Sequence, residues 1–395
     1  MPFAFRHQPV KTVYLLGAAV YILGALPVWT VANALPSTRP RRSWTLKRSL
    51  IVTILRNAAV IIYSTSLQAP PTLEACEKDA HGLGFVWVKA TPDLVVGEVH
   101  ELAEKNGVEA VPTAGFWIGP RGPNGNSDYP AGSDEKVVYH FHGGGHVSGT
   151  VHPKGGSAPL YEGYLEHFGK NVRIFGLEYR LSSAVPLKAE NPFPASLIDA
   201  IAGYRYLVED ISFHPSRIVL SGDSAGGGIA LNLARYLAMV KLPSLPVPNG
   251  LILLSPMMDW AGTHVGPKSS VVRNASSDFV PAIIDSQYTK YALLGRLPEE
   301  MAEQSLWISP GSLKSDWHPG MFAGLPPTIV VTGDAEYTLD PMITARDRLL
   351  EDIGKDRVTH VDIPDAAHDP VIWKWHEPER STILQELASW IKTVW

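Results

Sequence analysis

Residues 217–240 read RIVLSGDSAGGGIALNLARYLAMV. The apolar, β-branched run Arg217–Leu220 has the character of a buried strand, and Ala225–Val240 has the composition and length of a helix. Between them stands Gly222-Asp223-Ser224-Ala225-Gly226, followed by Gly227 and Gly228. A serine on a sharp strand-to-helix turn carries its hydroxyl clear of the sheet, and glycines on both sides let the backbone turn without Cβ clashes. The helix start that follows offers free amides to an anion. An ordinary glycine-rich turn capped by serine would show the same five residues. The strand–turn–helix setting favours Ser224 as a nucleophile.

Some eighty residues earlier a second strand-like run, KVVYHF at Lys136–Phe141, leads directly into His142-Gly143-Gly144-Gly145. Consecutive glycines at a strand end leave backbone N–H groups unobstructed, as a developing oxyanion requires. The nearby His140, His142 and His146 suggest a metal site as the alternative. No carboxylate or cysteine close in sequence completes such a set, and the glycines would then have no purpose, so no metal is expected.

Working outward, short apolar runs alternate with helical stretches. Phe85–Val88, Ala114–Ile118, Val172–Leu177, Leu251–Leu254, Thr328–Val331 and Val358–Ile363 read as strands, in addition to the two already quoted. Pro194–Glu209, Met342–Glu351 and a segment near Arg380–Lys392 read as helices. The turn-rich 119–126 suits a surface hairpin. This order predicts an α/β chain with a mostly parallel, doubly wound sheet. About 70 residues separate the strand ending near Leu254 from the one starting at Thr328. They include Trp260, Phe279, Ile283, Ile284, Tyr288, Tyr291 and Trp307, an apolar content that predicts a lid over the sheet's C-terminal edge.

Together, the H-G-G-G and the G-D-S-A-G resemble the hormone-sensitive-lipase-like branch of the α/β-hydrolases, a match that covers roughly His142 to His368. Within that branch the chain looks most similar to fungal membrane-anchored members such as steryl acetyl hydrolases. The resemblance implies a cap built from N-terminal helices and the long insertion at about 256–327, and a Ser–acid–His triad working without a cofactor. The base it implies is His368, in the loop after the last strand, with His376 and His360 as alternatives. Three carboxylates follow the strand TIVV: Asp334, Glu336 and Asp340. The family spacing falls on Glu336, where most of the branch has aspartate; Asp340 and Asp334 are the alternative acids. Tyr337-Thr338 replaces the Pro-Leu or Val-Leu usual at that point. The implied oxyanion donors are the amides of Gly144, Gly145 and Ala225. Asp223 reads as a structural residue that bonds to loop amides.

Composition narrows the rest. Only 18% of the 395 residues are charged and mean hydropathy is slightly positive, so part of the chain favours lipid or a large core. The net charge of −5 supplies no field for nucleic acid. With the single cysteine Cys76, an intrachain disulfide or a thiolate cluster is impossible. The apolarity concentrates at the start: Val13–Leu35 spans 23 residues, and no charge occurs from Thr12 to Thr38. A helix of that length crosses a hydrocarbon core of about 30 Å. Tyr14, Tyr21 and Trp29 suit interfacial positions. A cleaved signal peptide, with Ala32-Asn33-Ala34 as the small-residue pattern, and a helix packed on the protein's own core are the alternatives. Arg39, Arg41, Arg42, Lys47 and Arg48 outnumber Arg6 and Lys11, which places the bulk of the chain in the cytosol. Asn274-Ala275-Ser276 would accept a glycan if that bulk were lumenal. Ser49–Leu67, interrupted by Arg56, reads as a helix lying on the membrane or over the active site, or as an ordinary core helix.

The expected organisation is an apolar segment at 1–38, a basic helical cap contribution at 39–80, and a catalytic domain at 81–395. The expected function is hydrolysis of esters of hydrophobic small molecules (sterols, terpenoids or polyketides) by a single-pass endomembrane protein, or by a secreted one if the leader is cleaved. An acylglycerol lipase, an acyltransferase or other non-hydrolytic tailoring enzyme, and a catalytically silent receptor remain alternatives. No nucleic-acid partner is expected, and the sequence carries no signal of oligomeric state.

Overall fold

The structure, a computed structural model, describes residues 2–67, 72–79, 82–122 and 125–395. Eight strands form one sheet: β1 (Phe85–Val88), β2 (Thr113–Ile118), β3 (Lys136–Phe141), β4 (Val172–Glu178), β5 (Ile218–Asp223), β6 (Gly250–Leu254), β7 (Thr328–Gly333) and β8 (Val358–Ile363). Their order is β1-β2-β4-β3-β5-β6-β7-β8. β2 runs antiparallel to β1 and β4, and every other pairing is parallel. Each run read as a strand in the sequence is one, within three residues at its ends. The alternation along β3 shows why the central strands are apolar throughout. Val137, Tyr139 and Phe141 join a core shared with the helices Ala195–Arg205, Ala225–Val240 and Leu339–Ile353. Val138 faces the opposite layer, with the helices Ala158–His167 and Glu379–Val394.

The expected hairpin at 119–126 is not one. β4 lies between β2 and β3, so the segment is the start of a crossover connection, although Gly122 and Asn126 do close a local turn. Pro123 and Asn124 lie outside the described residues.

The parallel register explains why motifs some eighty residues apart meet. Phe141 stands opposite Gly222, so the segments leaving β3 and β5 emerge side by side at the C-terminal edge of the sheet. The long stretch after β6 folds back over this edge through short helices that include Pro281–Asp285 and Tyr288–Leu294.

At the N-terminus α1 (Val10–Ala32) has no buried residue, which rules out packing on the protein's own core. α2 (Leu46–Thr65) packs on α1 and on Pro281–Asp285, and so lies over the active-site side of the sheet. Its N-terminus is capped by Thr45, whose hydroxyl accepts from the Arg48 amide. Phe3 inserts beneath it, stacked on Tyr63 and edge-on to Tyr288.

Candidate active site

Ser224 occupies the turn between β5 and its helix with φ 51° and ψ −118°, a left-handed conformation that costs a side-chain-bearing residue about 1–3 kcal/mol. Backbone bonds fix it there: its amide donates to the Leu254 carbonyl at 2.9 Å, and its carbonyl accepts from Met257 at 2.8 Å. Its Oγ lies 2.8 Å from His368 Nε2, and Nδ1 of the same ring lies 2.8 Å from Glu336 Oε2. Glu336 has no exposed surface. Its other oxygen, Oε1, accepts from Ser255 Oγ at 2.8 Å and from the Gly333 amide at 2.6 Å. Two donors on Oε1 thus fix a buried carboxylate in one orientation, with Oε2 left for the imidazole.

The other acid and base candidates are engaged elsewhere. Asp340 accepts from the Ser270 amide and pairs with Arg273 at 2.7 Å. Asp334 accepts from the Asp365 amide at 2.7 Å and joins the two loops that carry Glu336 and His368. His376 accepts from the Ala367 amide and meets Glu379, and His360 faces Thr332 and Arg346. None of these side chains touches Ser224.

The glycine run is seated by the residue beside the nucleophile. Asp223 Oδ2 accepts from the Gly143 amide at 2.9 Å, and a Cβ on Gly143 would stand 2.4 Å from that oxygen. A Cβ on Gly226 would stand 2.0 Å from the Phe141 carbonyl oxygen. The Thr289 hydroxyl donates to the Gly145 carbonyl at 3.0 Å. Among the described residues, the amides of Gly144, Gly145 and Ala225 donate to no protein acceptor, which leaves them free for a substrate oxygen.

The three clustered histidines are packed among different neighbours, although His142 and His146 both meet Tyr179. His140 faces Asp223 and Ser221, His142 stacks on Tyr179 at 4.3 Å, and His146 meets Trp260 edge-on. Burial lowers His142 to about 4 and His146 to about 3, so both are neutral near pH 7. Asp278, Glu336 and His368 do bring ligand-type atoms within 4.8 Å of one another. These atoms are already committed. Asp278 accepts from the Phe279 and Tyr337 amides, each at 2.7 Å, and Glu336 is saturated as described.

Asp278, Ser255 and Asp369, none of them singled out by the sequence, complete the surroundings of His368. Asp369 Oδ2 lies 3.3 Å from Nε2, and its backbone amide donates to Ser255 Oγ, the hydroxyl that also supports Glu336. The only signal in the sequence was its position directly after the histidine. Burial would lower the His368 imidazole, but Asp369, the bond to Glu336, and the charge of Asp278 outweigh it and raise the group to about 10.

In front of Ser224 opens a cavity of about 260 Å³, walled on one side by Gly143–Gly145 and on the other by Met257, Trp260, Phe279, Val280, Ile283 and Ile284. Most of this apolar wall belongs to the stretch after β6. The sequon has a different use from the one its pattern suggests. Asn274 is buried, and its amide donates to the carbonyls of Asp334 and Glu336, so it is a structural support and not a glycan acceptor in the folded chain.

A protein-family model described as "alpha/beta hydrolase fold" matches residues 138–371. An acetyl-hydrolase of Streptomyces hygroscopicus is 26% identical over 252 residues, covering 63% of this chain and 72% of its own. The hormone-sensitive lipase of Mus musculus is 29% identical over 144 residues, which is 35% of this chain but only 17% of that much longer one. Among solved structures, an esterase from the bacterial hormone-sensitive lipase family superposes with a TM-score of 0.59. Its identity is 21%, and the match covers 89% of this chain and 99% of that one.

Proposed function

This chain belongs to the alpha/beta hydrolase fold family, as an ester-bond hydrolase with esterases, lipases and an acetyl-hydrolase among its relatives, and we propose that it is a serine esterase that removes short acyl groups from hydrophobic small molecules. The observation that carries the reading is the unbroken chain Ser224 Oγ–His368–Glu336, two contacts of 2.8 Å each. Ser224 Oγ attacks the ester carbonyl as His368 Nε2 takes its proton; Glu336 holds the ring tautomer and stabilises the imidazolium. The amides of Gly144, Gly145 and Ala225 receive the oxyanion. His368 then returns the proton to the leaving alcohol, and water releases the acyl group by the same steps in reverse.

Substrate size follows from the cavity. At about 260 Å³ it lies below the roughly 300–1,000 Å³ of pockets that engulf drug-sized ligands. An acetyl or similarly short group fits beside the Gly143–Gly145 wall, whereas a long acyl chain, and with it an acylglycerol lipase, fits poorly. The exposed apolar helix α1 favours substrates that partition into a bilayer: acetylated sterols, terpenoids or polyketides, in a tailoring step of secondary metabolism. We read residues 1–38 as a single-pass anchor in an endomembrane, 39–80 together with the insertion at about 256–327 as the cap, and 81–395 as the catalytic domain.

Detergent-solubilised protein given p-nitrophenyl esters from acetyl to palmitoyl tests this. Activity is expected to be greatest with acetyl or butyryl and to fall at least about tenfold by octanoyl, since an unaccommodated chain forfeits binding worth about 0.8 kcal/mol per methylene. A preference for palmitoyl would instead support the lipase.

The carboxyls around His368 give a pH signature. The imidazole must be neutral to act as base, so activity rises with pH through its raised pKa. Asp369→Asn removes one of the charges that hold the proton on the ring, leaving Glu336 and Asp278 in place and Asp223 farther off. The pKa then falls, and the acid limb of kcat/KM is expected to move about one unit or more toward lower pH. An unmoved limb would mean that Asp369 carries no charge in the working enzyme.

A further inference from the structure

Between α1 and α2 the chain turns back onto the two loops that hold Glu336 and His368. Trp44 is fully buried and packs on Ala335 and Ala367, the residues immediately before the acid and the base. Its indole N–H donates to the Asp365 carbonyl at 2.7 Å. Arg41 donates to the Asp334 carbonyl at 2.6 Å and to Asn274 Oδ1 at 2.8 Å, and lies within 4 Å of the carboxylates of both Asp334 and Asp365. Arg48 grips Glu379 through two bonds of 2.7 Å; Glu379 holds His376, and His376 receives the Ala367 amide at 3.1 Å. On the other side, Arg39 ties the end of α1 to this segment, donating to the carbonyls of Asn33, Ala34 and Trp44.

We propose that residues 39–48 are a positioning element for the acid–base pair, holding the Glu336 and His368 loops at the separation their hydrogen bonds require. This rests on the reading of Ser224, His368 and Glu336 as the catalytic residues. The physical need is specific. Both loops leave the ends of neighbouring strands, β7 and β8, and the sheet fixes only their roots. Beyond the Glu336–His368 bond itself, the Asp334 carboxylate on the Asp365 amide and the Ala335 amide on the Ala366 carbonyl join the two loops, and Trp44 adds a rigid wedge that touches both at once. A misplacement of about 1 Å at a reacting group costs up to about a hundredfold in rate. Trp44, Arg41 and Arg48 do not meet the cavity, so their loss should leave substrate binding intact.

The test uses the full chain in detergent with p-nitrophenyl acetate, with active sites counted by fluorophosphonate labelling carried to completion. Trp44→Ala is expected to lower kcat per labelled site by about 10- to 100-fold with KM changed less than about twofold. Trp44→Phe, which keeps the wedge and loses only the N–H, should recover most of that rate. If Trp44→Ala yields no folded protein, Arg41→Ala, on a side chain about one-quarter exposed, decides, with an expected loss of about three- to tenfold in kcat alone. The proposal is overturned if the variants keep the wild-type kcat per labelled site, or if the loss appears in KM. Ser224→Ala in the same series separates the two readings: if it remains active the catalytic assignment itself fails, whereas a dead Ser224→Ala beside a fully active Trp44→Ala rejects the positioning element alone.

Discussion

Ser224→Ala is expected to lower kcat on p-nitrophenyl acetate by about 10⁶-fold, down to the residual rate that oxyanion donors and binding alone sustain. The scale follows from the mechanism. Without Oγ no acyl-enzyme forms, and His368 and Glu336, each at 2.8 Å in the chain, have no nucleophile to activate. The fold should be untouched, because alanine and serine bear the same cost at a φ of 51°. Ser224→Gly sharpens the point. It should be just as inactive, yet more stable by about 1 kcal/mol, since glycine adopts this conformation freely. Initial rates, thermal melts and covalent labelling by a fluorophosphonate check all three statements. An alanine variant that is still labelled or still turns over would exclude Ser224 as the nucleophile.

The second large effect is expected from Glu336→Gln, about 10⁴-fold in kcat. The direction of the hydrogen bonds explains why a nearly isosteric change should be so costly. At the Oε1 position two donors converge, the Gly333 amide and the Ser255 hydroxyl. A carboxamide will put its oxygen there, which turns its NH2 toward His368 Nδ1. The ring must then accept at Nδ1 and carry its proton on Nε2, facing Ser224, where it cannot serve as a base. Asp340→Asn and Asp334→Asn serve as controls and should cost less than about tenfold, because neither carboxylate contacts the imidazole. Equal losses in Asp340→Asn and Glu336→Gln would reopen the assignment of the acid.

Much of this arrangement could be read from the chain. The eight strands are legible because a parallel sheet covered on both faces demands unbroken apolar runs, as in VVY of β3 and LILL of β6. Ser224 and the glycine run are legible because each needs a particular local backbone, and that need is written in adjacent residues. The acid was harder to single out. Asp334, Glu336 and Asp340 share one stretch, and what distinguishes Glu336 is complete burial and three partners, of which Ser255 and His368 lie 81 and 32 positions away. Local sequence holds no record of either. The support from Trp44, Arg41 and Arg48 was invisible for the same reason, since it spans some 230 to 330 positions. Two patterns misled. A turn-rich run marked a crossover and not a hairpin, because strand order is not local information, and a sequon marked a buried asparagine.

The contact between the two glycine-bearing motifs has an evolutionary consequence. Gly143 meets the Asp223 carboxylate and Gly226 meets the Phe141 carbonyl, in both cases with no room for a Cβ. The motifs are therefore two halves of one interlocking surface, inherited through separate stretches of gene. A substitution of Gly143 is tolerable only if the side chain at 223 changes with it, whereas Gly226 meets a backbone carbonyl that any residue at 141 would carry, so positions 143 and 223 should vary jointly and Gly226 not at all among homologous chains. Recombination that separates them, as in a chimera joined anywhere between residues 144 and 221, should succeed only when both parents carry matching halves.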